Sequence, residues 1–332
     1  MKPGKIIIYG ACSLFALIAL TAIVKGGGSD AKEEKASSVQ EIVLDQKVSP
    51  KEEVKTAPEP VKEVVKETPK EENLPEADRI AHLFATDSSR LPIVETISYT
   101  SRVPWLKERP AWIADYASHY STSRHFIARS LNRSHDYFTQ KVSPGDRFNV
   151  FRTDKDVEFY LAIDLSRCKM WFYYLDKESN DRVLLKTYNV GVGRKETSRT
   201  SGYLTPIGKY SVGSKVAIYK QNTMGYFQDQ KTEMITVFGT RWVPFDEEIE
   251  GCSESARGLG IHGTPWVKNA KGEYVEDTSK IKQYDSDGCI RLSTADIEEL
   301  FSIIITKPTT VELVHDFHDA HLPGKEVEGG HL

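Results

Sequence analysis

Gly260-Ile261-His262-Gly263-Thr264 and Ser286-Asp287-Gly288-Cys289-Ile290-Arg291-Leu292 are the two stretches on which the reading of this chain turns. In the second, a glycine precedes the cysteine and allows a tight backbone turn beside it. A polar Ser-Asp pair stands just before, where a core cysteine would have apolar neighbours. A free thiol with a pKa of about 8.5 is only a few per cent thiolate at pH 7, so a nucleophilic Cys289 needs a base. Of the nine histidines, His82, His119, His125 and His135 lie far upstream and four fall in the last 18 residues. His262 is therefore the candidate base. No carboxylate sits beside it in sequence, so a backbone carbonyl is expected to hold its tautomer. Gly258 to Gly263 spells GxGxxG, but no apolar strand precedes it and Pro265 follows where a helix would open, which excludes a dinucleotide site.

Working outward, Phe159–Asp164, Cys168–Tyr174 and Arg182–Val190 are β-branched and aromatic runs separated by polar turns, and they predict strands. Ser293 to Ile305 has helical spacing, with Ser293 or Thr294 as cap and Ile297, Leu300, Phe301 and Ile304 on one face. A mainly β domain over 154–315 follows, with 316–332 as a polar tail. Upstream, over 77–153, Glu95–Thr100 and Arg147–Phe151 alternate as strands, whereas Trp112–Ala117 and His125–Asn132 have helical periodicity. The order is strand, helix, helix, strand, and Tyr99, Trp105 and Trp112 offer a sugar-stacking groove.

Composition sets the rest. The chain has 332 residues and a net charge of -4, which gives no electrostatic reason for nucleic-acid binding. Ile6 to Val24 carries no charge and at helical rise spans about 28 Å, the thickness of a hydrocarbon core. It ends Ala22-Ile23-Val24-Lys25 with no small-x-small cleavage site, so an uncleaved membrane anchor is expected at 6–24 after a short tail at 1–5. Flanking lysines are balanced and do not fix its orientation. Residues 25–76 are rich in Lys, Glu and Pro with no aromatic residue and read as a solvated linker. Cys12, Cys168, Cys252 and Cys289 lack paired zinc spacing, and a Cys168–Cys252 disulfide stays open. His315, His318 and His321, with Asp316 and Asp319, could meet a metal only if helical; a frayed tail is the expected reading, with no metal and no cofactor.

The two opening stretches resemble the L,D-transpeptidase (YkuD) catalytic domain, which has a histidine-glycine motif followed by serine/threonine-x-glycine-cysteine-x-arginine/asparagine. Gly191-Val192-Gly193, Thr205-Pro206-Ile207-Gly208 and Trp242-Val243-Pro244-Phe245 match its further signatures in order. The resemblance implies a β-sandwich-like fold and acyl transfer on peptidoglycan stem peptides. In that reading Cys289 attacks the carbonyl of the third, diamino-acid residue and releases D-alanine, and His262 is the base. The thioester passes to a diamino-acid side-chain amine of a second stem. Gly288 and Cys289 amides are implied oxyanion donors, with Ser286 and Gly263 beside them. Arg291 either holds a substrate carboxylate or braces the loop. Two departures stand out: Asp287 replaces a histidine found in many members, and Lys268–Asp285 is a charged insertion, read as a surface loop in preference to a lid. The 77–153 segment resembles a LysM module, through its isoleucine-alanine helix starts and Val142-Ser143-Pro144-Gly145-Asp146, which implies contact with glycan strands. The expected whole is a mainly β catalytic domain with a small α/β module and an N-terminal transmembrane helix, on the outer side of the cytoplasmic membrane. Alternatives are a carboxypeptidase, an enzyme attaching protein to the wall, or a non-catalytic glycan-binding anchor, which would need neither Cys289 nor His262.

Overall fold

The computed structural model describes residues 74–135, 137 and 141–327. The expected anchor at 6–24 and nearly all of the linker lie outside the described residues, among which no helix is long and apolar enough to cross a membrane. A single turn, α1 (Ala81–Phe84), leads to β1 (Val94–Ser98), α2 (Ile113–His119), α3 (Arg124–Asn132) and β2 (Arg147–Phe151). The strand, helix, helix, strand order is thus the one expected, and β1 and β2 pair antiparallel from Val94↔Phe151 to Ser98↔Arg147. Local chemistry fixes both helices. The Asp115 carboxylate accepts the Trp112 N–H at 2.8 Å and pairs with Arg109, while Ser123 Oγ accepts the Phe126 N–H at 2.9 Å. α3 stops at Arg133, whose φ of 61° is left-handed.

The three aromatics expected to form a groove do not line one together. Tyr99 is buried and donates to the Ala111 carbonyl at 2.8 Å. Trp105 stacks on His119 with ring centres 4.3 Å apart and meets Tyr116 edge-on. Trp112 stands free at 64% exposure. The module is too small to bury its own apolar surface otherwise, so its aromatics are spent on its core.

β3 (Val157–Asp164), β4 (Lys169–Asp176) and β5 (Asp181–Asn189) form an antiparallel meander. Nearly every residue of β3 and β4 is buried, because both faces are covered. One face carries Phe159, Leu161, Met170 and Phe172 into the main core, and the other carries Tyr160, Trp171 and Tyr173 against Phe317 and Leu322. Residues 316–327 are therefore part of the fold and not a frayed tail. Phe317 packs on Trp171 with centroids 4.2 Å apart, and β18 (Lys325–Glu326) pairs parallel with β5. His318 bonds Asp316, and among the described residues no three His, Cys, Asp or Glu side chains gather as a metal site. Cys168 is buried and Cys252 half-buried, both are free thiols, and Cys252 Sγ lies 3.1 Å from the Lys209 carbonyl.

The remaining strands extend this meander into a ten-stranded sheet. β7 (Gly208–Val212), β11 (Arg241–Glu250), β12 (Gly260–Gly263), β16 (Ile290–Leu292) and β17 (Thr309–Val314) follow the order β16-β12-β11-β7-β17-β3-β4-β5-β18, with β8 (Ala217–Ile218) beside β11. Pro244 lies in β11 between the residues paired to β8 and those paired to β7, where its missing N–H leaves no gap in a ladder. Apolar residues from both ends of the sheet, Ile290 and Leu185 among them, enter one core, so the sheet curls around it. α5 (Thr294–Ile304) closes that core with Ile297, Leu300, Phe301 and Ile304, capped by Ser293 as expected. The same core takes in Ile80, Leu83, Phe126 and Phe151, and Ser123 Oγ donates to the Ser302 carbonyl. The change of secondary structure near 153/154 is thus not a break in packing. Fully burying each such aromatic contributes on the order of 2 to 3 kcal/mol.

Candidate active site

β12 and β16 run parallel and adjacent, with Ile261↔Ile290, His262↔Arg291 and Gly263↔Leu292 in register. This pairing sets the two sequence-distant stretches side by side. On its other side β12 lies close against β11, which Gly260 permits: a Cβ there would lie 2.4 Å from the Val243 carbonyl. Cys289 occupies the turn between β15 (Tyr284–Ser286) and β16. Ser286 Oγ ties that turn by donating to the Cys289 carbonyl at 2.6 Å and accepting the Gly288 N–H at 3.2 Å. Gly288 has φ 120°, and a Cβ on it would meet the Leu204 carbonyl at 2.9 Å.

Thr205, quoted in the sequence only as part of a motif, proves to be a positioning residue. Its fully buried hydroxyl accepts the Gly193 N–H at 2.8 Å, from β6 (Val192–Gly193), and donates to the Gly288 carbonyl at 3.0 Å. One side chain thus joins the upstream glycine and threonine-proline motifs to the cysteine turn.

Cys289 and His262 open on the same cleft, whose empty space is about 620 Å³, part of it open to solvent. Of the other expected candidates Ser286 and Arg291 line it and Gly288 and Gly263 do not, while Asp287, singled out in the sequence only as a departure from the family pattern, lines it too. The Gly288 amide is bonded to Ser286, and the Gly263 carbonyl holds the histidine, so neither has the substrate-facing place expected of it. Opposite stand Phe227, Gln228, Val237 and Phe238, none of which the sequence flagged. Phe227 and Gln228 come from the hairpin of β9 (Met224–Phe227) and β10 (Gln230–Glu233), and the other two from α4 (Ile235–Phe238). The hairpin turns on Gln228 and Asp229, with φ 49° and 61°. Two-residue turns of this hand favour Asn and Gly, and a Gln-Asp turn gives little sequence signal. The insertion at Lys268–Asp285 contributes nothing to the cleft wall. Its strands β13 (Trp266–Lys268) and β14 (Tyr274–Glu276) pair outside, and the Tyr274 hydroxyl donates to Glu233 of the covering hairpin.

His262 is 3% exposed and wedged against Phe238 and Trp242. Its Nδ1 lies 2.7 Å from the Gly263 carbonyl. A carbonyl can only accept, so Nδ1 carries the proton and Nε2 the lone pair, through the backbone anchor expected. Burial above all, and then the charge of Arg291, push the imidazole pKa down to about 3, against backbone hydrogen bonds at Gly263 and Phe238 that act the other way. Burial likewise pushes the Cys289 thiol up to about 11, although the Gly260 backbone and Arg291 favour its thiolate. Both groups are neutral at pH 7 in this cleft. Arg291 binds Asp285, which also takes Lys280 at 2.8 Å, so its guanidinium braces the loop. Asp287, at the place where many members of the resembled family have a histidine, pairs with Arg194 at 2.6 Å.

Residues 158–313, which contain both motifs and all of this geometry, match the family model for the YkuD domain, the L,D-transpeptidase catalytic domain. This segment matches the YkuD family model. The fold also resembles the helical cell shape determining protein Pgp2 from Campylobacter jejuni, at 14% identity and a TM-score of 0.33, over 51% of this chain and 51% of that one. Bdellovibrio bacteriovorus Bd1075 is similar at 13% identity and a TM-score of 0.31, over 52% of this chain and 51% of that one. The chain thus spans about half the length of these solved structures, and no curated relative matches it. Within the YkuD domain, Cys289 and His262 fall on the turn and strand just described, and the signature at Thr205 is the clamp on the cysteine turn.

Proposed function

We propose that the YkuD domain is a cysteine acyltransferase that cross-links peptidoglycan stems. The observation that carries this reading is a thiol and an imidazole opening on one cleft, the imidazole held by a backbone carbonyl in the tautomer whose Nε2 can take a proton. Because burial keeps both groups neutral, a standing thiolate–imidazolium pair is disfavoured, and proton transfer accompanies attack. Cys289 Sγ bonds to the carbonyl carbon of the third stem residue as its proton passes to His262. The C–N bond to D-alanine then breaks, and His262 returns the proton to the leaving amine. A thioester remains, and a side-chain amine of a second stem displaces the thiol by the reverse proton route. With the Gly288 amide engaged, the Cys289 amide is left as backbone donor to the oxyanion.

Incubating the full chain with a tetrapeptide-bearing disaccharide and weighing the products tests this. A dimer lighter than two monomers by one D-alanine supports cross-linking. A tripeptide monomer as the sole product would move the activity to the carboxypeptidase reading, and no loss of D-alanine would remove both.

The same reading puts residues 26–332 outside the cytoplasmic membrane, where the substrate is, with a linker of several tens of ångströms to reach it. Protease added to intact spheroplasts is expected to digest the C-terminal part while a cytosolic marker survives; full protection would refute that orientation.

A further inference from the structure

The ion pair of Arg194 and Asp287 stands at the edge of the catalytic cleft, and its setting is unlike that of the other charges there. Arg291 is mostly buried and committed to Asp285. Arg194 and Asp287, by contrast, are 60% and 64% exposed, with Nη2 and Oδ1 2.6 Å apart. Their backbones are nevertheless fixed to the nucleophile turn. The Arg194 N–H donates to the Ser286 carbonyl at 2.9 Å, and its own carbonyl accepts the Leu204 N–H at 2.8 Å. Asp287 lines the cleft two residues before Cys289, and the left-handed Gly288 fixes the chain between them. An ion pair this exposed contributes little to the fold, so opening it costs little. Two opposite charges on rigid backbone, one able to make a forked contact with a carboxylate, form the complement of a group carrying both charges on one carbon.

We propose that Arg194 and Asp287 are a specificity pair that opens to receive the zwitterionic α-amino-acid end of a diamino-dicarboxylic side chain, Arg194 taking its carboxylate and Asp287 its ammonium. The inference rests on the stem-peptide reading above and narrows it, because a side chain ending in an amine alone, or in an amidated carboxyl, would satisfy Asp287 and leave Arg194 without a partner. The zwitterion could belong to the acyl donor or to the acceptor, and the two occupy the cleft at different stages.

Calorimetric binding of stem tetrapeptides to the full chain separates these cases and does not depend on turnover. With Cys289→Ala, a stem ending in the free zwitterion is expected to bind roughly tenfold more tightly than the same stem with that carboxyl amidated, the scale of one charge-assisted contact. Arg194→Gln added to this background should abolish the difference, whereas Arg194→Lys should retain part of it. Asp287→Asn should weaken both stems alike. Preference in the Cys289→Ala chain assigns the pair to the donor; preference seen only in wild-type chain already capped at Cys289 by a strained lactam assigns it to the acceptor. Equal affinities in both states would overturn the proposal. Failure of wild-type chain to release D-alanine while the preference persists would count against the reaction and leave the recognition standing.

Discussion

Cys289→Ala is expected to abolish D-alanine release completely and to prevent any covalent adduct with a carbapenem. A strained lactam is an acyl donor that the same thiol should open, adding its whole mass to the protein, because ring opening expels no fragment. Mass spectrometry of the intact chain reads this directly: wild type gains one equivalent, the variant none. The other cysteines of the described structure are poor competitors for physical reasons. Cys168 is buried, with its thiol pushed towards the neutral form by desolvation, and Cys252 sits outside the cleft on the Lys209 carbonyl. Equal labelling of either in wild type and variant would sink the assignment of Cys289. The fold should survive the change, because the turn is held by Ser286 Oγ, the Gly288 amide and Thr205, none of which uses the thiol.

His262→Ala should lower the acylation rate by roughly 100-fold or more at pH 7, the usual scale for loss of a general base. A near-normal rate would mean another base serves Cys289. The pH dependence is equally specific. With its pKa held to about 3, the buried imidazole stays neutral through the range in which a free histidine protonates near pH 6.5, so the acylation rate should show no histidine limb between pH 6 and 7. The cost appears in stability. Below about pH 6.5 the unfolded chain binds a proton at this position that the native state refuses, so stability falls as pH drops from there towards 3. By pH 4.5 this loss should reach about 2 to 3 kcal/mol. His262→Gln, which cannot protonate, should remove that part of the acid slope; urea unfolding at pH 7.5 and 4.5 of both proteins gives the comparison, and identical slopes would refute the buried neutral imidazole.

The chemistry of the site was legible because it resides in residue types that have few other uses in these surroundings. A cysteine after a glycine and a polar pair, and one histidine within a β-rich stretch, marked the candidate reactive groups before any geometry. The mainly β class and α5 were equally legible, since both rest on local periodicity that a linear sequence displays. What the sequence alone could not supply was every relation fixed by long-range pairing. Only the parallel register of β12 with β16 sets His262 beside Arg291 and brings Cys289 to the same cleft. Gly288 and Gly263 were expected beside the substrate from the family resemblance, yet the Gly288 N–H bonds Ser286 Oγ and the Gly263 carbonyl holds His262 Nδ1. The charged insertion at 268–285, read as a surface loop in preference to a lid, indeed stays off the cleft wall, while Phe227 and Gln228 of an unremarked hairpin line it, because position beside a site is a matter of which strands pair and not of charge. Tyr99 and Trp105 could have been exposed binding residues or core; Tyr99 is buried and Trp105 packs half-buried against the same cluster, because the module has little other apolar surface. The sequence by itself singled out the candidate reactive groups and the segments that are strand or helix, since these follow from side-chain chemistry and local pattern. Tertiary structure alone decided the tautomer of His262, the neutrality of both reactive groups and the pairing of Arg194 with Asp287, because burial and proximity across the chain are properties of the folded state.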